Sequence, residues 1–126
     1  MIRTLLLVGG GSFLGGIVRY LVKIGCERLF PAANLPLGTM AANVAGCFLI
    51  GLFYGIASRH VNMSQDILLF LTVGFCGGFT TFSTFINENF TMLQGGEVLN
   101  AVLYAGVSLA VGLLLIYLGV QLSRFF

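Results

Sequence analysis

Charged side chains are scarce in this sequence. Of its 126 residues only 8% are charged and 58% are hydrophobic, whereas about a quarter of the residues of an ordinary soluble domain carry a charge. This shortage excludes an ordinary soluble protein and predicts a membrane protein. The six lysine and arginine residues form no cluster that could track phosphates, so we expect no nucleic-acid partner.

Groups that carry reactive chemistry are few as well. The three cysteines are odd in number and lie in or beside apolar stretches, which is typical of small packing residues and not of a disulfide framework or a metal site. No glycine run has the spacing and the strand-turn-helix context of a phosphate-binding loop. No catalytic chemistry is indicated, and we predict that the protein is not an enzyme.

Long apolar runs are what the chain does contain. Four of them, approximately residues 4–24, 37–57, 67–90 and 98–122, are separated by polar or turn-forming segments. Each has the roughly 20 residues that a helix needs to cross about 30 Å of hydrocarbon. The sequence therefore predicts an all-α membrane protein, one domain over residues 1–126, with four transmembrane helices that contact the lipid bilayer.

The basic residues give no orientation signal. With four spans, both termini lie on one face, and the residues to be compared are Arg3, Arg59 and Arg124 on that face against Lys23, Arg28 and, if it snorkels, Arg19 on the other. A chain without a bias can insert both ways and pair as an antiparallel homodimer, and weak local signals can equally fix one orientation. The dimer is favoured because four spans alone would leave little protein around a permeation path.

The third span is interrupted by glycine. Gly74, Gly77 and Gly78 lie near its centre, and each glycine weakens a helix by roughly 1 kcal/mol relative to alanine. The pattern predicts a break around residues 76–80, with close glycine packing as the alternative. Backbone carbonyls freed at a break can bind a cation, while the start of the next half-helix favours an anion.

Polar and aromatic residues alternate after these glycines. At helical spacing, one side carries Thr80, Ser83, Thr84 and Asn87, and an adjacent stripe carries Phe75, Phe79, Phe82 and Phe85. Each stripe alone is typical of packing. Together, beside a break, hydroxyl donors and the positive edges of phenyl rings indicate a pore lining for an anion.

Two further polar side chains lie within spans. Asn43 offers an amide at membrane depth, and Arg19 is a cation near a span interior. Polar groups at this depth are costly, and a functional role is the default interpretation. The alternatives are a hydrogen bond across a helix interface for Asn43 and snorkelling for Arg19.

The strings AANVAG (residues 41–46) and GFCGGFTTFSTF (residues 74–85) resemble the Fluc/CrcB family of fluoride channels. The resemblance implies an antiparallel, dual-topology homodimer in the bacterial inner membrane, with two fluoride pathways and a central structural Na⁺. It implies passive exit of fluoride down its electrochemical gradient, which lowers cytoplasmic fluoride and gives fluoride resistance.

The resemblance also implies site residues. Backbone carbonyls of Gly77 and Thr80 from each subunit would hold the Na⁺. Arg19 would lie at an aqueous vestibule, and Glu88 at a pore mouth. The residues implied along the fluoride pathway are Asn43, Phe82, Ser83, Thr84, Phe85, Tyr104 and Ser108.

Two other classes of protein fit four spans. A small proton-coupled multidrug transporter also forms antiparallel dimers, but it needs a carboxylate at membrane depth. The carboxylates here fall at or near span ends, at Glu27, Asp66, Glu88 and Glu97. A structural subunit of a larger membrane complex would give no reason for the TTFSTF string.

Overall fold

A computed structural model describes residues 1–60 and 62–126, and the regular structure in those residues is helical throughout. Helix α1 is Ile2–Leu29 and α2 is Leu37–Arg59. The third span consists of α3 (Gln65–Leu69), a π-helical segment (Phe70–Cys76), α4 (Gly77–Phe79) and α5 (Phe82–Gln94). Helix α6 is Val98–Leu122 and ends in a 3₁₀ turn, Ser123–Phe125.

Four helical stretches in the described residues are long and apolar enough to cross a membrane: Ile2–Leu29, Leu37–Arg59, Gln65–Gln94 and Val98–Phe125. The prediction of an all-α protein with four such helices is confirmed. Each interval predicted from the sequence lies inside one of these stretches, because hydropathy over about 20 residues is a strong signal for a spanning helix.

Glycines allow the spans to approach closely. A Cβ added at Gly11 would lie 2.8 Å from the Gly74 Cα atom, and one added at Gly78 would lie 2.5 Å from the Ser12 carbonyl oxygen. On the other side of the bundle, a Cβ at Gly119 would lie 2.8 Å from the Leu52 amide nitrogen. Helix α1 therefore packs on the third span and α2 packs on α6, with backbone against backbone.

The third span departs from α-helical geometry at two places. The π-helical turn at Phe70–Cys76 has no signal in the sequence. Helical dihedral angles then stop at Phe79, and Thr80 (φ −90°, ψ 158°) and Thr81 (φ −151°, ψ 122°) are extended before helix α5 begins at Phe82.

The glycines themselves do not unwind. Gly77 has helical dihedral angles (φ −61°, ψ −38°), and Gly78 belongs to α4 against Ser12 of α1. The extended residues therefore fall at the end of, and just beyond, the predicted stretch of residues 76–80. The physical reason is that packing against Ser12 of α1 holds Gly78 in the helix, while side-chain hydrogen bonds of Thr80 and Asn43 hold the two threonines extended.

Candidate functional site

The side chain of Asn43 in α2 forms two hydrogen bonds with the backbone of Thr81. Its Nδ2 donates to the Thr81 carbonyl oxygen at 3.0 Å, and its Oδ1 accepts from the Thr81 amide at 2.7 Å. In an uninterrupted helix that amide would donate to the Gly77 carbonyl. Asn43 therefore replaces a helical hydrogen bond, and one N–H of its amide stays available to another acceptor.

Thr81 also caps helix α5. Its Oγ1 accepts from the Thr84 amide at 3.4 Å and lies 3.1 Å from the Thr84 Oγ1, to which it donates. A threonine in extended conformation suits this position, because the first amides of a helix lack partners within the helix. The positive end of the 13-residue helix α5 thus lies at Thr81 and Phe82.

The backbone carbonyls of the residues before Thr80 differ in their hydrogen-bond partners. The Cys76 carbonyl accepts from both the amide and the Oγ1 of Thr80, each at 2.9 Å. The Gly78 carbonyl accepts from Arg19 Nε at 3.2 Å. The Gly77 carbonyl has lost its helical donor to Asn43, and Gly77 is exposed in the single chain.

Carbonyl oxygens at this interruption are suitable ligands for the Na⁺ that the resemblance implies. Hard cations prefer oxygen ligands, including backbone carbonyls. The Gly77 carbonyl is released from helical pairing, and Thr80, two residues from Gly78, is extended at the same interruption. Within residues 1–60 and 62–126, no group of three or more His, Cys, Asp or Glu side chains competes as a metal site.

A cavity of about 300 Å³, which we call the aromatic cavity, lies between α2, α5 and α6. Its lining includes Asn43, Cys47, Thr81, Phe82, Phe85 and Ser108. The ring centroids of Phe82 and Phe85 are 6.3 Å apart with planes tilted by 34°. The Phe85 ring also packs on Tyr104, at 5.1 Å and 52°. The two predicted pathway phenylalanines therefore lie at one cavity.

Helix α6 brings two unpaired hydroxyls to this region. Tyr104 is fully buried, and neither its Oη nor the buried Ser108 Oγ has a hydrogen-bond partner in the part of the chain that the structure describes. The two residues are four apart, on one face of α6. A buried hydroxyl left unpaired costs about 1–3 kcal/mol. Of the two, Ser108 lines the aromatic cavity, so its hydroxyl is free to donate to an acceptor there.

A second cavity of about 190 Å³, the polar cavity, lies between α1, α2 and the start of α5. Its lining includes Arg19, Tyr20, Lys23, Thr39, Thr81 and Thr84. Nearby, Thr39 Oγ1 donates to Glu88 Oε1 at 2.5 Å. Arg19 and Thr84 therefore share a cavity, and Glu88 is held beside it by Thr39.

Ser83 lines neither the aromatic nor the polar cavity, although it lies beside Phe82. In the single chain Ser83 lies on an open groove with Phe82, Ile86, Asn87 and Phe90. The hydroxyl track predicted along the third span thus divides, with Thr84 at the polar cavity and Ser83 on the outer face of α5.

Sequence reasoning missed three residues at these cavities: Lys23, Thr39 and Thr81. Thr39 could have been found one helical turn before Asn43, on the same face of α2. Thr81 could have been found as a threonine three residues before Thr84 at the start of a new helix, since Ser and Thr are favoured N-caps.

Comparison with known proteins places the chain in a family. A family model described as CrcB-like protein, Camphor Resistance (CrcB), matches residues 6–120. A protein of Bacteroides fragilis named fluoride-specific ion channel FluC is 46% identical over 121 residues, covering 94% of this chain and 93% of that protein. Proteins with the same name from Phocaeicola vulgatus (43% identical; 97% and 99% covered) and Chlorobium phaeobacteroides (41% identical; 96% and 93% covered) are similar along nearly their whole length. The chain belongs to the CrcB family.

Proposed function

We propose that this multi-pass membrane protein is a fluoride-selective channel, and not an enzyme, through which F⁻ leaves the cell passively. The observation that carries the proposal is the unpaired hydroxyl of Ser108 in the cavity lined by Phe82 and Phe85, with Tyr104 packed on Phe85. The similar proteins bear the name fluoride-specific ion channel. Passive exit would lower cytoplasmic fluoride and give fluoride resistance in a bacterial inner membrane.

The chemistry of the lining suits a small anion. Fluoride holds its water tightly, so a pore must replace that water with closely placed donors and still let the ion leave. Hydroxyls, the free N–H of Asn43 and ring edges are neutral, moderate donors. The third span has no lysine or arginine that would trap the ion. The cations lie at the polar cavity, where Arg19 and Lys23 attract anions.

A second copy of the chain completes the proposed channel. Phe82 is 75% exposed and Phe90 is 56% exposed in the single chain, and Ser83 and Asn87 lie beside them. Polar side chains at membrane depth favour burial against protein over lipid. An antiparallel homodimer would cover this face in both subunits and form two pores related by symmetry.

The central Na⁺ would bind where the two copies meet. Carbonyl oxygens of Gly77 and Thr80 from each subunit would hold it, supported by the loss of a helical donor at Gly77. When bound, the ion supplies fixed positive charge, which makes the local electrostatic potential more positive and so attracts anions. The protein's own residues shape this stretch of backbone. Asn43 accepts the hydrogen bond of the Thr81 amide, which would otherwise pair with the Gly77 carbonyl, and Arg19 donates to the Gly78 carbonyl.

The test is fluoride efflux from liposomes that contain the purified protein, followed with a fluoride electrode. A passive channel predicts rapid efflux that requires a K⁺ ionophore, since uncompensated charge movement stops the flux. Efflux that instead requires a proton gradient would favour the transporter. No efflux from a folded protein would favour the structural subunit.

A further inference from the structure

Thr81 is shared by the two cavities. It lines the polar cavity with Arg19 and Thr84, and it lines the aromatic cavity with Phe82 and Ser108. An anion drawn toward the cations of the polar cavity must pass this residue to reach the phenyl rings if the two cavities form one route. Thr81 is therefore placed where the ion changes its surroundings.

The backbone of Thr81 is already committed. Both its amide and its carbonyl are bonded to Asn43, at 2.7 and 3.0 Å. Its side chain is β-branched and therefore stiff at χ1. The part of the residue that can respond to an ion is the hydroxyl proton, which rotates about the Cβ–Oγ1 bond.

In the structure that proton takes part only in a weak hydrogen bond. Oγ1 donates to the neutral Thr84 hydroxyl at 3.1 Å while it accepts from the Thr84 amide at 3.4 Å. If the proton turns toward an anion, the oxygen continues to accept from the amide and the cap of helix α5 is kept. A hydrogen bond to an ion is stronger than one between neutral hydroxyls, so the exchange favours the anion.

We infer that the Thr81 hydroxyl is a further permeation residue, which donates to the anion as it passes from the polar cavity to the aromatic cavity; this rests on the channel function proposed above. It is a neutral donor between a cationic cavity and a phenyl-lined one. It replaces part of the ion's water at the crossing without adding a charge that would hold the ion there.

The test separates this role from helix capping with a matched pair, Thr81→Asn and Thr81→Asp. Both side chains are good N-caps of similar shape, but only the amide can donate to an anion when the carboxyl is ionised. At pH 9, to keep the carboxylate ionised, we expect fluoride efflux of Thr81→Asp to be at least about tenfold below that of Thr81→Asn, because like charges a few ångström apart repel. Thr81→Ser keeps the hydroxyl, and we expect it to conduct within about threefold of the natural protein.

The control pair is Ser64→Asn and Ser64→Asp. Ser64 caps α3 by accepting from the Asp66 amide at 3.2 Å and lies outside both cavities, so its two variants should conduct equally. Thermal unfolding should give similar midpoints for Thr81→Asn and Thr81→Asp. Equal efflux from these two folded variants would show that Thr81 acts only as a helix cap, which would overturn the inference. Loss of efflux in Thr81→Ser would overturn it as well. Absence of efflux from the natural protein would instead overturn the channel itself.

Discussion

Neutral donors dominate the aromatic cavity at the scale of single residues. Ser108 presents a hydroxyl without a partner in the described residues, and Phe82 and Phe85 present tilted rings, with Tyr104 packed on Phe85. Each donor is moderate by itself. In the proposed channel they would together replace the water of one small anion, and none of them would hold it as strongly as a fixed cation.

Replacing either ring tests whether its edge contacts the ion. We expect Phe82→Ile or Phe85→Ile to lower fluoride efflux several-fold, because each variant loses a positively polarised ring edge that can face the anion. Phe82 is 75% exposed in the single chain, so its replacement should leave the fold intact. Phe13→Ile is the control, since Phe13 is exposed on α1 and lines none of the cavities described above. Unchanged efflux in both test variants would mean that the rings only pack.

Removing an unpaired hydroxyl should have opposite effects on stability and flux. Ser108→Ala deletes a buried group that has no partner in residues 1–60 and 62–126, so we expect a gain in the free energy of unfolding of about 1–3 kcal/mol. Fluoride efflux should fall, because the ion loses a donor. Chemical denaturation and liposome efflux measure the two quantities. A variant that is less stable and conducts normally would show that the hydroxyl has a structural partner.

At the scale of elements, the contact between α1 and the third span positions the site. Gly11 and Gly15 of α1 are buried there, and from the third span Gly74 faces Gly11 and Gly78 faces Ser12. The same contact brings Arg19 to the Gly78 carbonyl. The interruption at Thr80 and Thr81 is therefore held from two sides, by Arg19 of α1 and by Asn43 of α2.

A methyl group at this contact should force the helices apart. We expect Gly15→Ala to cost about 1–3 kcal/mol, which is typical of overpacking, because its Cβ would collide with the Phe75 carbonyl and lie 2.8 Å from the Phe79 amide nitrogen. Gly9→Ala is the matched control on the same helix, with nothing within 4 Å of its Cβ. Thermal unfolding compares the two variants. Equal midpoints would contradict the close contact.

The spans could be predicted from the sequence, but the details of the third span could not. Hydropathy is a local property, and all four predicted intervals lie within helices of the structure. The π-helical turn and the extended pair Thr80 and Thr81 depend on partners far along the chain. Asn43 is 38 residues from Thr81, and Arg19 is 59 residues from Gly78. Glycine content alone places the interruption slightly too early, since packing against Ser12 of α1 offsets the weak helix propensity of Gly78.

The site residues show the same division. The motif in residues 74–85 predicts Phe82 and Phe85 as pathway residues, and the structure brings both to one cavity. It did not reveal that Ser83 and Thr84 face different surroundings, or that Thr81 lies between two cavities. These facts depend on how α5 is rotated about its axis after the interruption. The two hydrogen bonds between Asn43 and the Thr81 backbone fix the chain at the start of that helix.

At the scale of the whole molecule, the exposed face of α5 and the Gly77 carbonyl support the proposed dimer with a central Na⁺. A ligand that binds only the folded assembly raises its stability with concentration. We therefore expect the thermal midpoint to rise when Na⁺ replaces N-methylglucamine at constant ionic strength. Li⁺ and K⁺ provide controls of different size. A midpoint that does not depend on the cation would contradict the sodium site.

The central claim is selective passage of fluoride, and the most direct measurement compares fluoride with chloride efflux from matched liposomes under a K⁺ ionophore. A fluoride-selective channel predicts rapid fluoride loss with chloride retained, because neutral hydroxyls and ring edges around a small space suit the smaller ion. Equal efflux of the two anions would contradict selectivity. Retention of both by a folded protein would contradict the channel.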